Sequence, residues 1–221
     1  MEWWQILLIV LGSVIAFFCV LVFCYRFFAK RLCEIIGSLV LLVLLLIPML
    51  VIALVIKIDS KGPALFKQKR LGRNKKIFTV YKFRTMCDHA YEKGGIALSE
   101  ADDRITKVGR FLRKTSLDEL PQLINVFLGQ MSVIGPRPVL DWEYEEYSKP
   151  EYEGRFIVRP GMFCTVDVDY RALATRDLQF TMDVEYANKM SFALDIKTFF
   201  GVIKTVFARK NVYKNGGKEN E

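Results

Sequence analysis

The sequence predicts an α+β, membrane-associated fold, and two uncharged runs with basic flanks carry most of that prediction. We expect an N-terminal transmembrane helix, a broken re-entrant membrane helix, and a small, mostly helical domain with a short β-hairpin and interfacial amphipathic helices. The expected segments are a transmembrane helix over 1–27, a re-entrant helix over 30–58 that breaks near Pro48, a cytoplasmic-face domain over 59–210, and a disordered tail over 211–221.

The first uncharged run, Trp3–Tyr25, contains 23 residues, and about 20 residues span the hydrocarbon core of a bilayer. Aromatic residues at both of its ends are typical interfacial anchors. A cleaved signal peptide is the alternative. It is disfavoured because the basic residues follow the run instead of preceding it, and because no small-x-small cleavage site follows.

The second uncharged run, Ile35–Ile56, contains 22 residues and has basic residues on both sides. Basic residues near membrane ends stay in the cytoplasm, so both flanks favour the same side of the membrane. Pro48 lacks an amide proton and interrupts a helix. These features predict a helix that enters and leaves by the same face; a proline-kinked span is the alternative.

The remaining chain alternates between turn signals and short periodic segments. The predicted strands are Ala64–Gln68 and Ile77–Phe83, which form a hairpin, and Phe163–Tyr170. The predicted helices are Val108–Lys114, Leu120–Leu128, Trp142–Tyr152 and Ser191–Lys210, with a mobile loop within 87–103. The amphipathic pattern of Ser191–Lys210 suits either the membrane interface or an ordinary core-packing helix.

The net charge is +8, of which residues 1–56 contribute +1. A basic domain beside a membrane segment suits anionic lipid heads and phosphorylated substrates, and we expect no nucleic-acid partner. Five cysteines without a C-x-x-C pair, and His89 as the one histidine, predict neither a zinc site nor a disulfide framework. His89 is expected to be a surface or loop residue.

Ser116-Leu117-Asp118-Glu119-Leu120-Pro121-Gln122-Leu123 is the most informative segment. Ser116 and Glu119 match a capping box, whereas Asp118 as the cap would place Pro121 in the first helical turn, where proline is tolerated. Either arrangement puts Asp118 at a helix N-terminus, where the exposed amides and the helix dipole are expected to keep a carboxylate ionised and to attract phosphate. Cations gather around this segment in the sequence: Arg84, Arg104, Arg110, Arg113, Lys114 and Arg137. They indicate a phosphate site, or alternatively a solvated basic face that contacts lipid heads.

Four stretches together resemble the bacterial sugar transferase family, whose catalytic domains are monotopic phosphoglycosyl transferases. They are Gly62–Arg73, Phe78–Met86, Ile105–Leu123 and Met131–Pro138, with weaker matches at Arg159–Gly161 and Asp183–Tyr186. The combination is specific because K-F-R-T-M, L-D-E-L-P-Q-L and G-P-R-P occur in that order behind a re-entrant-type helix.

The resemblance implies a two-step transfer in which Asp118, next to Glu119, attacks the β-phosphorus of a UDP-sugar. Undecaprenyl phosphate then accepts the phospho-sugar, which is the first membrane step of a surface glycoconjugate pathway. Mg²⁺ is the implied cofactor, with Asp118 and Glu119 as its candidate ligands. The implied phosphate-binding residues are Arg84, Arg113 and Arg137, and further candidate substrate-binding residues are Pro136, Arg110 and Asp183.

The implied location is the cytoplasmic face of the bacterial inner membrane. Membrane lipid is an implied partner, and downstream glycosyltransferases and a second copy of the chain are further candidates. Two other functions compete with the transferase. A non-catalytic, membrane-anchored basic module would not explain the adjacent acids of the L-D-E-L-P segment, and a membrane phosphatase would be expected to carry a D-x-D-x-T signature, which is absent.

The chain departs from the family pattern at three places. Ile47-Pro48 replaces the usual Ser-Pro at the helix break, Glu34 stands where aspartate is commoner, and Met162–Arg171 replaces a stretch that usually contains threonine-glycine and then glutamine-valine. The last difference leaves the identity of the sugar open.

Overall fold

The computed structural model describes residues 2–23, 25–88, 90, 102–147, 149–170 and 173–208. Its helices are α1 (Trp3–Phe23), α2 (Lys30–Leu44), α3 (Leu46–Asp59), α4 (Lys107–Thr115), α5 (Gln122–Phe127), α6 (Asp141–Tyr147), α7 (Thr165–Asp169), α8 (Arg176–Lys189) and α9 (Phe192–Phe207). Its strands are β1 (Leu65–Leu71), β2 (Ile77–Phe83), β3 (Ser132–Ile134) and β4 (Gly161–Phe163). The predictions for His89, the mobile loop and the tail concern residues that lie wholly or mostly outside the described ranges.

The apolar N-terminal part is helical, as predicted. Within the described residues, no single helix reaches the length and apolar character of a complete membrane span. Helices α2 and α3 together have the length and apolar character of a span, with a bend of 60° between them. The stretch Trp3–Phe18 of α1 is apolar but shorter than a span. The placement of α1 in a membrane stays a prediction, as do the segment boundaries.

The break between α2 and α3 falls at Leu45, three residues before Pro48. Pro48 has no amide proton to donate to the Leu44 carbonyl, and its ring crowds that carbonyl, so the helix cannot continue through this turn. The α-helical hydrogen-bond pattern resumes at the next residue, where the Met49 amide donates to the Leu45 carbonyl at 2.8 Å. The chain therefore makes the bend with isoleucine, not serine, before the proline.

The predicted hairpin is confirmed and extended by a few residues. Strands β1 and β2 pair antiparallel, from Leu65 opposite Phe83 to Leu71 opposite Ile77. Asn74 and Lys75 adopt left-handed backbone conformations, with φ of 55° and 57°, and close the turn. The structure also contains a short parallel pairing of β3 with β4, which the sequence did not predict.

Three small apolar clusters hold these elements together. The cluster that positions the site joins Ile56 of α3, Phe83 of β2 and Leu112 of α4, with Leu117 and Leu120 packed against it. The end of the bent helix pair, the hairpin and the L-D-E-L-P segment consequently share one core.

The prediction of a strand over Phe163–Tyr170 was wrong beyond Phe163. Cys164 is extended and caps helix α7, and the Asp167 carboxylate accepts a hydrogen bond from the Cys164 amide at 3.3 Å. Such a reciprocal cap satisfies amides at the start of a helix and so favours helix over strand.

The predicted helix Trp142–Tyr152 was too long. Helix α6 ends at Tyr147, and a 3₁₀ helix over Pro150–Ile157 follows. Proline disfavours helical conformation in the residue before it and cannot donate an amide hydrogen bond, which explains the interruption.

Candidate active site

Asp118 lies in a 3₁₀ turn, Leu117–Glu119, between α4 and α5. Ser116 adopts a left-handed conformation, with φ of 57°, and ends α4 without a side-chain capping bond to the next turn. The capping box expected from the sequence is therefore not formed. Pro121 occupies the cap position of α5, so Asp118 lies in the middle of the preceding 3₁₀ turn and is not the cap of this helix.

The Asp118 carboxyl is half-buried, and its environment disfavours the charged form. Burial, together with the charge of neighbouring Glu119, raises the pKa of Asp118 to about 6, while the cations Lys82 and Arg113 oppose this rise. A carboxylate with a pKa near neutrality that is held among cations is a recurrent feature of catalytic sites.

Cations from three separate elements surround the two acids. Lys82 of β2 donates to Glu119 at 2.6 Å, and Nε of Arg113 on α4 donates to Thr85 Oγ1 at 2.9 Å. The charges of Asp167 and Glu119, among others, raise the pKa of Arg137, with Asp167 the largest contributor. The structure thus brings Arg113 and Arg137 close to the Asp118–Glu119 pair, and the catalytic and phosphate-binding roles of these residues stay predictions.

Lys82 is the residue that sequence reasoning missed. It belongs to the K-F-R-T-M stretch, but it was not singled out as part of the site. The available signal was its position as the one charged residue within the strand Ile77–Phe83. A single cation in an otherwise uncharged, partly buried strand indicates an anionic partner, because burial of an unpaired charge is costly.

Arg84 is directed elsewhere. Its guanidinium donates to the carbonyls of Ser60 at 2.7 Å and of Lys61 at 2.6 Å, and the residue is 6% exposed. Arginine at a helix C-terminus satisfies free carbonyls, so this contact fastens the end of α3 to the domain. Arg110 lies one turn before Arg113, and its buried Nε has no partner among the described residues.

Pro136 and Asp183 are buried beside the Arg137 backbone. The Pro136 carbonyl accepts from the Gly161 amide at 2.8 Å. Asp183 is fully buried, pairs with Arg155 at 2.5 Å, and accepts from the Arg137 amide at 3.2 Å. Burial raises the pKa of Asp183 to about 7, and the Arg155 charge opposes that rise. These contacts favour a structural ion pair for Asp183 over the substrate contact that the resemblance implied.

The acids fit a magnesium ion by the chemistry of their donors. Mg²⁺ is usually held by one or two carboxylates together with substrate phosphate oxygens, and Asp118 and Glu119 are close enough for the charge of Glu119 to raise the pKa of Asp118. Within the described residues, no group of three or more potential ligands could hold a metal without substrate.

The arrangement defines a class of site: a carboxylate pair surrounded by cations, at the foot of a bent apolar helix pair. Residues 25–209 match the bacterial sugar transferase family, and the chain belongs to that family. This membership confirms the resemblance and favours an enzyme over the non-catalytic basic module.

Three relatives illustrate the match. The chain is 40% identical to the exopolysaccharide production protein PSS of Rhizobium leguminosarum bv. phaseoli, over 81% of this chain and 96% of that protein. It is 36% identical to the uncharacterized sugar transferase EpsL of Bacillus subtilis, over 83% of this chain and 89% of that protein. It is 39% identical to the UDP-glucose:undecaprenyl-phosphate glucose-1-phosphate transferase of Klebsiella pneumoniae, over 83% of this chain and 41% of that protein.

Proposed function

We propose that this chain transfers a sugar-1-phosphate from a UDP-sugar to undecaprenyl phosphate, as a phosphoglycosyl transferase of polysaccharide biosynthesis. The observation that carries the proposal is the half-buried Asp118, whose pKa is raised to about 6 beside Glu119 while Lys82 and Arg113 oppose the rise. The names of relatives that act on UDP-glucose and undecaprenyl phosphate support the substrate classes.

In the first step, a carboxylate oxygen of Asp118 attacks the β-phosphorus of the UDP-sugar. The bond from that phosphorus to the oxygen bridging the two phosphates breaks, and UMP leaves with the electron pair. A phospho-sugar remains bonded to Asp118. Splitting one displacement between two anions into two steps is the general advantage of covalent catalysis.

In the second step, a phosphate oxygen of undecaprenyl phosphate attacks the same phosphorus. The bond to Asp118 breaks, the carboxylate is regenerated, and an undecaprenyl diphosphate-sugar is formed. Throughout both steps, Arg113 and Arg137 would stabilise the charge on the phosphoryl oxygens.

Asp118 and Glu119 would hold Mg²⁺ together with the diphosphate, and the ion would supply neutralisation of the developing charge. The salt bridge from Lys82, at 2.6 Å, orients the Glu119 carboxylate beside Asp118. Arg84 contributes indirectly, because it fastens the end of α3 next to Thr85, the residue that orients Arg113.

The bent pair α2–α3 supports a location of this chemistry at a membrane surface. Both of its ends rest on the same folded body: Lys30 donates to the Ile134 carbonyl, and Arg84 donates to the Ser60 carbonyl. A helix pair fastened at both ends suits entry and exit by one face, here the cytoplasmic face of the bacterial inner membrane. The head of undecaprenyl phosphate lies at that level.

The test separates the two half-reactions. Purified full chain is mixed with Mg²⁺ and a panel of UDP-sugars without acceptor. We expect one equivalent of UMP and a phospho-sugar adduct on the peptide that contains Asp118. Asp118→Asn should show neither, whereas Lys76→Met, an exposed change in the hairpin turn, should show both.

Added undecaprenyl phosphate should then convert the burst into continuous turnover. Turnover that proceeds normally in Asp118→Asn would overturn the covalent route. Release of inorganic phosphate without any requirement for the lipid would instead indicate a phosphatase.

A further inference from the structure

The backbone of Arg137 is held by a buried ion pair that lies behind it. The Asp183 Oδ1 atom accepts from the Arg137 amide at 3.2 Å, and Nη2 of Arg155 donates to the Arg137 carbonyl at 2.7 Å. The same Nη2 atom lies 2.5 Å from Asp183 Oδ2. One amide and one carbonyl are thus fixed by two side chains that are themselves paired.

Local structure cannot supply these contacts. Arg137 follows β3, which ends at Ile134, and it lies between Pro136 and Pro138, neither of which has an amide proton. Backbone groups without a partner in a helix or sheet must find one elsewhere when they are buried. Proline also biases the preceding residue toward extended conformations, which carries Arg137 away from a compact turn.

The ion pair is poorly explained by stability alone. The side chains of Arg155 and Asp183 are each 1% exposed, and Nε and Nη1 of Arg155 have no partner in the described part of the chain. The guanidinium lies 4.1 Å from the centroid of the Phe180 ring. Apolar replacements of buried ion pairs are often neutral or stabilising, so a pair with unsatisfied donors suggests a role in geometry.

The guanidinium end of the Arg137 side chain faces the candidate active site. Its side chain is 42% exposed, and Nη1 lies 3.4 Å from Asp167, the residue that also caps α7. The charge of Glu119 also raises the pKa of Arg137, so the guanidinium lies within electrostatic reach of the Asp118–Glu119 pair. A planar guanidinium fork binds phosphate oxygens well only when its position is fixed in advance.

We propose that Arg155 and Asp183 are positioning residues for sugar-phosphate transfer, which hold the Arg137 backbone so that its guanidinium meets the transferring phosphoryl group. Neither residue contacts substrate. The inference rests on the proposed function, and it changes Asp183 from a candidate substrate contact to a residue that acts through Arg137.

Hydrogen exchange tests the contact without any need for turnover. Arg137 is the only residue of Pro136–Pro138 that has a backbone amide proton, so the exchange of this proton can be assigned by peptide mass spectrometry. In the full chain we expect slow exchange at Arg137, and exchange at least about tenfold faster in the paired variant Arg155→Met/Asp183→Leu. Removing both charges together avoids leaving one buried charge unpaired. Val202→Ala, a buried apolar change in α9, should leave exchange at Arg137 unaltered.

A double-mutant cycle on the UMP burst tests the link to catalysis. Asp183→Asn should slow the burst about tenfold or more per folded enzyme, since losing one preorganised charge contact costs roughly 10²–10³ in rate. In an Arg137→Ala background the same change should cost less than about twofold, because the effect passes through Arg137. If Asp183→Asn does not fold, the paired variant replaces it in the cycle.

Equal losses in both backgrounds, or unchanged exchange at Arg137 in the paired variant, would overturn the inference. If the wild-type enzyme released no UMP, the proposed function would be refuted instead. The two failures can be told apart because the hydrogen-exchange measurement does not depend on activity.

Discussion

Removal of the Lys82 charge should shift the pH dependence of the first half-reaction toward higher pH. Lys82 contacts Glu119 at 2.6 Å, and its charge lowers the pKa of Asp118, which burial and Glu119 raise to about 6. Asp118 must be ionised to attack phosphorus. Because Lys82→Met removes a cation that favours the ionised form, the pKa of Asp118 should rise further.

The size of the shift follows from the position of Lys82. Two unit charges about 4 Å apart in a medium of effective dielectric constant about 20 interact by roughly 4 kcal/mol, which sets an upper limit for the effect of Lys82 on Asp118. The Lys82 side chain is 25% exposed, so solvent screens part of this interaction. We expect a rise of about one pKa unit, or about 1.4 kcal/mol. The ionised fraction of Asp118 at pH 6 would then fall about fivefold, while at pH 8 it would hardly change.

The assay is the UMP burst with donor alone, followed between about pH 5 and pH 9. Undecaprenyl phosphate is omitted because its own phosphate titrates in this range, whereas the diphosphate of a UDP-sugar does not. Lys82→Arg keeps the charge. In this variant the acidic limb of the pH–rate profile, where the rate falls as Asp118 becomes protonated, should stay near that of the wild type. Lys76→Met removes an exposed charge from the neighbouring hairpin turn and should leave the limb in place.

A uniform loss of rate in Lys82→Met, with the acidic limb unmoved, would refute the reasoning. Lys82 would then act on the substrate and not on the ionisation of Asp118. An acidic limb that moved equally in Lys76→Met would refute it as well, since the effect would come from general surface charge.

The remaining predictions concern the scaffold and the metal. Gly161→Ala should destabilise the protein by about 3 kcal/mol or more, because a Cβ there would lie 2.1 Å from the Gly135 amide nitrogen. Gly37→Ala is the control and should be tolerated, because the space around Gly37 is open. Thermal unfolding in detergent measures both. Lys30→Met should cost about 3–5 kcal/mol by the same measurement, because it leaves the buried Asp195 carboxylate without its cation. Chelation of Mg²⁺ should stop UMP release without changing the circular dichroism spectrum, and added Mg²⁺ should restore it; release that continues under chelation would contradict the metal assignment.

The features that the sequence alone predicted are the ones that local pattern controls. The uncharged runs predicted helices, Pro48 predicted the break, and the turn signals around Asn74 predicted the hairpin. Each depends on interactions within a few residues, which periodicity and backbone chemistry report directly. The K-F-R-T-M, L-D-E-L-P-Q-L and G-P-R-P stretches together also identified the family, because each of them is contiguous in the sequence.

Only the tertiary structure decided which side chains meet. Lys82 and Glu119 are 37 residues apart in sequence, and Arg137 and Asp183 are 46 apart. The direction of Arg84 toward the end of α3 likewise depends on how the hairpin packs on that helix. Such contacts, and the burial that raises the pKa of Asp118, arise when distant segments exclude water together, which no local pattern encodes.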